Sequence, residues 1–148
     1  MNRWQAKLSH RVAILLVGLA VIGCGGSEKS EIETVERLAD DLAAAWVEND
    51  ATSIATIFAA DGVFVDTLGR EHVGSDSIAQ HVEQWGELVT ESRRTGPIEE
   101  LDDGTYVFPI EMVFDGQTLV GKVVVNVQDA LFVRHDWVDG PPENLDRS

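Results

Sequence analysis

The most constraining feature of this chain is where its periodicity changes. From Tyr106 onward apolar residues recur every second position, whereas from Ile32 to Asn49 they recur every three or four. A helical period cannot be laid flat on a pleated sheet, so the two halves belong to different kinds of element. Ile32, Val35, Leu38, Leu42, Ala45, Trp46 and Asn49 predict a helix over about 31–48, which Ser30 and Glu33 open as a capping box. Ile54, Ile57 and Phe58 predict a shorter helix over about 52–59, broken by Asp61-Gly62. Val63–Asp66 reads as a strand ending at the turn Leu68-Gly69-Arg70, and Glu71–Val73 as a short strand. Gly74-Ser75 caps a third helix over about 76–89, with Ile78, Val82, Trp85 and Val89 on its stripe. Strands are then predicted over 92–101, Tyr106–Phe114, Leu119–Val127 and Leu131–Val138, with turns at Asp102-Asp103-Gly104, Asp115-Gly116 and Gln128-Asp129-Ala130. Helices first and a meander last is the α+β order. The expected architecture is a cone, a curved antiparallel sheet of about four to six strands wrapped around the long first helix. The mouth of such a cone is a natural pocket.

Charge separates the first 23 residues from the rest. They contain Arg3, Lys7 and Arg11 and no acid, while the remainder holds eight basic and 26 acidic residues. A domain at −18 is a poor partner for phosphate backbones, so nucleic-acid binding is not expected. Behind the basic start, Val12–Ile22 is an apolar run of 11 residues, too short to span a bilayer and suited to the core of a signal peptide. It ends in Val21-Ile22-Gly23-Cys24, which resembles the bacterial lipobox and holds the only cysteine. That resemblance implies cleavage before Cys24, acylation of its sulfur and amine, and a domain outside the cytoplasm. Two or three acyl chains would hold it there essentially permanently. Gly25 after the cysteine favours the outer membrane where an envelope has two. The chain therefore divides into a leader (1–23), a tether (24–29), one domain (30–138) and a tail (139–148) expected to be disordered.

Three stretches carry a family resemblance: Ala44-Ala45-Trp46-Val47-Glu48-Asn49-Asp50, then Ile57-Phe58-Ala59-Ala60-Asp61-Gly62-Val63-Phe64, then Gly74-Ser75-Asp76-Ser77-Ile78-Ala79. With the closing Asp129–Trp137, they resemble the SnoaL-like branch of the nuclear transport factor 2 superfamily over about 33–138. The implied fold is the α+β cone. It hosts isomerases, cyclases, hydrolases and modules without chemistry, so the residues must decide the function.

Asp66 lies where ketosteroid-isomerase-like members carry a proton-shuttling Asp, and a carboxylate in an apolar cavity can be tuned as a base. The donors that such chemistry needs for an enolate fall at Leu42 and Val125, which have none. Glu111 and Asp136 resemble the water-flanking pair of the epoxide-hydrolase members, but the intervening Arg falls at Pro109. Solvent for Glu111, and pairing with Arg134 or a loop amide for Asp136, is the plainer expectation. Trp46, Phe64, His81 and Trp85 are the candidate ligand-binding wall, with Trp137 among core aromatics, and His135 is expected to face away. The four His and one Cys have no zinc-like spacing, and no metal or cofactor is expected. Two functions compete: a lipid-anchored, non-catalytic module for a small apolar ligand or an envelope protein, and an isomerase or hydrolase using Asp66, Glu111 and Asp136. On the strand 106–114 both faces are substantially apolar, so a homodimer through the sheet is also expected.

Overall fold

The computed structural model describes residues 25–138; the leader, Cys24 and the tail lie outside the described residues. The elements run α1 (Gly25–Glu48), a 3₁₀ turn (Ala51–Ser53), α2 (Ile54–Ile57), β1 (Phe58–Val65), β2 (Glu71–Val73) and α3 (Ser75–Trp85). A second 3₁₀ turn (Gly86–Leu88) then leads into β3 (Val89–Arg94), β4 (Glu99–Glu100), β5 (Tyr106–Phe114), β6 (Gln117–Gln128) and β7 (Leu131–Trp137). No described helix is long and apolar enough to cross a membrane.

The strands form one sheet in the order β2-β1-β7-β6-β5-β3, with β4 also paired to β5. It has seven strands rather than four to six, and it is mixed rather than antiparallel throughout, because β1 lies parallel to β7. The register of that parallel pair shifts between Phe58 and Val63. Gly62 sits in the irregular stretch, where a Cβ would meet the Ala59 and Phe132 carbonyl oxygens at 3.0 Å, a tight approach that favours glycine. The meander follows the predicted turns. Asp115-Gly116 and Asp129-Ala130 both have positive φ at each residue, the two-residue turn whose twist matches that of the flanking strands. Phe114 then pairs with Gln117 and Gln128 with Leu131.

Several boundaries differ from expectation for local reasons. The helix α1 begins at Gly25 and so runs through the segment read as a tether. Ser30 lies inside it, its carbonyl accepting from the Thr34 hydroxyl at 3.0 Å. The end of α1 is set by Asn49 at φ 53°, with Asn49 N–H bonded to the Trp46 carbonyl and Asp50 N–H to that of Ala45. This is the left-handed helix stop that asparagine tolerates. Asp50 then accepts from the Thr52 and Ser53 N–H groups and starts the next turn. The second helix stops at Ile57 because Phe58 is already paired with Phe132. The third stops at Trp85, and the stretch read as one strand over 92–101 is split into β3 and β4 at Gly96-Pro97.

The core lies between α1 and the concave face of the sheet, closed at one end by α2 and α3. Val35, Leu38, Ile54, Phe58, Ile78, Val123, Val125 and Phe132 are fully or almost fully buried. Each such side chain contributes about 1.5–3 kcal/mol of transfer free energy. On β5, Tyr106, Phe108 and Met112 face this core, and the Tyr106 hydroxyl donates to Glu31 at 2.8 Å, tying α1 to the sheet. The opposite face of β5 carries Val107, Glu111 and Val113, all half-buried.

Candidate functional site

Alternation along β1 puts Phe64 and Asp66 on the same side of the strand. Beyond Asp66 the chain turns through Thr67, Leu68 and Gly69 and returns as β2. Gly69 takes φ 74°, which closes a three-residue hairpin loop. The loop's register sets His72 opposite Phe64, hence beside Asp66. Gly74 then leads into α3, where Ile78, His81, Val82 and Trp85 share the inward stripe. The imidazole of His81 therefore meets that of His72 with ring centroids 3.9 Å apart, nearly parallel. It also stands edge-on to Trp46 at 5.5 Å and lies 5.8 Å from Phe64.

Asp66 is 6% exposed and its carboxylate is fully engaged. Oδ1 accepts from the Leu68 N–H at 2.9 Å and the Arg70 N–H at 3.0 Å. Oδ2 accepts from Arg70 Nε at 2.8 Å and lies 3.3 Å from His72 Nε2. Burial alone would raise this carboxyl's pKa, but the hydrogen bonds from Arg70, His72 and Leu68 outweigh it and hold the group below the usual carboxylate range. Asp66 is thus an anchored anion and a weak base. His81 is pushed down to about 4, first by burial and then by the neighbouring His72, with Asp66 pulling the other way. At neutral pH it is an uncharged imidazole.

Asp66, Arg70 and His81 form one wall of a cleft of about 360 Å³ that opens between α3, the β1–β2 loop and the concave sheet. Its other walls are Trp46, Phe64, Trp85, Phe114, Leu119 and Trp137, so the lining is mostly aromatic and aliphatic. Volume and lining are those of a small-molecule site. All four residues read from sequence as a ligand wall, Trp46, Phe64, His81 and Trp85, border it. A smaller, partly open cavity of about 30 Å³ shares Trp46, Phe64, Met112 and Trp137 with the cleft.

The three candidate catalytic acids do not converge. Glu111 is on the other face of β5 from Met112, across from Arg93 on β3, and Arg93 Nη2 donates to it at 2.7 Å. Asp136 lies on β7 with Arg134, whose Nε donates to its Oδ2 at 2.8 Å and whose Nη2 reaches Glu71 at 3.1 Å. The water-flanking arrangement is therefore not formed. His135 corrects the sequence reading in the opposite direction. It is 3% exposed, borders the smaller cavity, and stacks on Phe64 at 5.2 Å. The cause is the parallel β1–β7 register, which sets Phe64 beside His135. Burial lowers its pKa to about 4, and its Nδ1 has no partner. Sequence reasoning also passed over His72 and Arg70. The signal was there: a three-residue loop after Asp66 fixes a hairpin register that brings His72 back to Phe64.

No family model matches the chain, and a comparison with curated proteins finds no match. Solved structures do resemble it. A hypothetical protein from Catenulispora acidiphila with a ketosteroid isomerase-like fold, in complex with trimethylamine, superposes with a TM-score of 0.58 at 16% identity, over 70% of this chain and 85% of that one. A nuclear transport factor 2-like protein of unknown function from Burkholderia xenovorans gives 0.60 at 10% identity, over 74% and 85%. A putative polyketide cyclase from Sinorhizobium meliloti gives 0.57 at 16%, over 68% and 92%. At such identities the likeness speaks for architecture alone, and it agrees with the layers and strand order above: the chain has the curved α+β cone fold of nuclear transport factor 2-like proteins.

Proposed function

We propose that the cone is a non-catalytic module that binds a small, largely apolar molecule in the cleft beside Asp66, and that a lipid on Cys24 holds it at the bacterial envelope. The observation that carries the binding role is the cleft itself, about 360 Å³ of mainly aromatic and aliphatic lining with a few polar groups gathered on one wall. The non-catalytic role is supported by how the acids are used. A general base works best with a pKa near the operating pH, and Asp66 is held in the other direction. Glu111 and Asp136 are committed to arginines away from the cleft. The competing reading, an isomerase or hydrolase based on Asp66, would need that carboxylate released from the Leu68 and Arg70 N–H groups. The anchor is supported by the basic start, the 11-residue apolar run and the position of Cys24.

Native mass spectrometry of the protein extracted from bacterial membranes tests both parts together. The expected species lacks residues 1–23, carries acyl chains on Cys24, and holds a small-molecule adduct of unchanged mass in both the parent and Asp66→Asn. An adduct converted by the parent but not by Asp66→Asn would establish the enzyme instead. A protein retained as an adduct would replace the small ligand as partner. An unprocessed, unacylated chain would remove the anchor.

A further inference from the structure

We propose that Asp66, His72 and His81 form a binding site for a divalent first-row transition-metal ion, zinc being the expected occupant, at the edge of the cleft that Asp66 and His81 line. This goes beyond the ligand-binding reading and does not rest on it. Each of the three residues offers one ligating atom, and the three atoms lie within 4.8 Å of one another. Zinc bonds to imidazole nitrogen and carboxylate oxygen are about 2.0–2.2 Å, so two ligands of one tetrahedral ion stand roughly 3.3 Å apart. His72 Nε2 and Asp66 Oδ2 already have that separation, 3.3 Å. Of the three ligands, it is the His81 imidazole, now stacked against His72, that must turn to complete the set.

The surroundings are those of a ligand set rather than of a loose surface cluster. The three residues come from β1's end, β2 and α3, and two of them are at least nine-tenths buried. Asp66 Oδ1 is fixed by two backbone N–H groups, which orients the carboxylate and leaves Oδ2 on the side of the imidazoles. Arg70 Nε also uses Oδ2, but that side chain is 55% exposed. An ion pair with one partner so exposed is worth little, so the guanidinium can yield to a doubly charged ion and move into water. Two imidazoles and one carboxylate suit zinc, iron, nickel and copper rather than magnesium or calcium. Three protein ligands leave a fourth position open towards the cleft, where water or a donor atom of a bound molecule would sit. Chain spacing hides the set, because residues 66, 72 and 81 meet only once the hairpin and α3 are in place.

The test uses the full chain, stripped with chelator and titrated with Co²⁺ followed by visible absorption, then with Zn²⁺ in competition. The expected result is one ion per chain with a Kd of about 10 μM or tighter, and binding weakened by at least about tenfold in His72→Ala and in His81→Leu. Far-ultraviolet circular dichroism checks that each variant is folded; should His81→Leu not fold, His72→Ala, at a half-buried position of an edge strand, decides alone. No cobalt band and no zinc competition at about 100 μM would overturn the site. So would undiminished binding in folded His72→Ala, because the ion would then be held elsewhere, for instance by His10 or Cys24.

Discussion

Asp66 and Asp136 form the same contact in two parts of the molecule. Each accepts from an arginine Nε at 2.8 Å through Oδ2. Asp66 does so at the cleft, 6% exposed, with two backbone N–H groups on its other oxygen and a histidine pair alongside. Asp136 does so on the other side of β7, 26% exposed, beside an arginine that it shares with Glu71. The ion pair as such therefore distinguishes nothing. What separates a structural and functional carboxylate from an ordinary surface one is burial and the fixed N–H groups that surround it.

The largest expected effect breaks the cleft side of the comparison. Asp66→Ala leaves the Leu68 and Arg70 N–H groups and the His72 ring without their acceptor. It is expected to cost about 2–4 kcal/mol in urea unfolding. A loss below about 1 kcal/mol would mean that the loop re-forms its bonds with water and that burial counts for little here.

Acid is expected to act next, and on the same side. The His81 and His135 pKa values are lowered to about 4 from an ordinary 6.5. The unfolded chain then takes up protons that the folded one refuses. Their contribution to stability is fully present above about pH 6.5 and is lost as pH falls towards 4, by on the order of 1–3 kcal/mol. Urea midpoints at pH 7 and pH 4.5 measure this. Equal midpoints would show that the two imidazoles charge freely in the folded state.

The smallest effects belong to the outer pair. Glu111→Gln and Asp136→Asn are expected to change stability by no more than about 1 kcal/mol each, as exposed ion pairs generally do. They are also expected to leave ligand binding intact. A loss above about 2 kcal/mol from Asp136→Asn would place this residue with Asp66, and its unpartnered Oδ1 would be the place to look for the reason.

How much of this was legible in the chain depends on whether the cause is local. The helix of Val35, Leu38 and Leu42 and the alternation of Tyr106, Phe108 and Met112 state their faces directly, because their periods match their elements. The turns at Asp115-Gly116 and Asp129-Ala130 were equally readable from turn chemistry. The parallel β1–β7 pair was not, since no local pattern says which distant strand will flank β1. Alternation with the candidate acid Asp136 turns His135 away, whereas the β1–β7 pairing sets it against Phe64. The same limit hid the site. Asp66 was readable as a pocket acid through the family resemblance, which implies an Asp near the end of that strand. Its depressed pKa comes from the hydrogen bonds of Arg70, His72 and Leu68, which a hairpin turning at Gly69 brings to it.

The central claim, that the cleft beside Asp66 is where this domain meets a small apolar molecule, is tested most directly by nitrogen-15 NMR of the protein titrated with indole as a neutral aromatic probe. Saturable shifts confined to Phe64, His81, Trp85 and Leu119, with Glu111, Val120 and Lys122 unmoved, are the predicted result. Shifts gathered around Glu111 and Val120, or none at about millimolar probe, would contradict it.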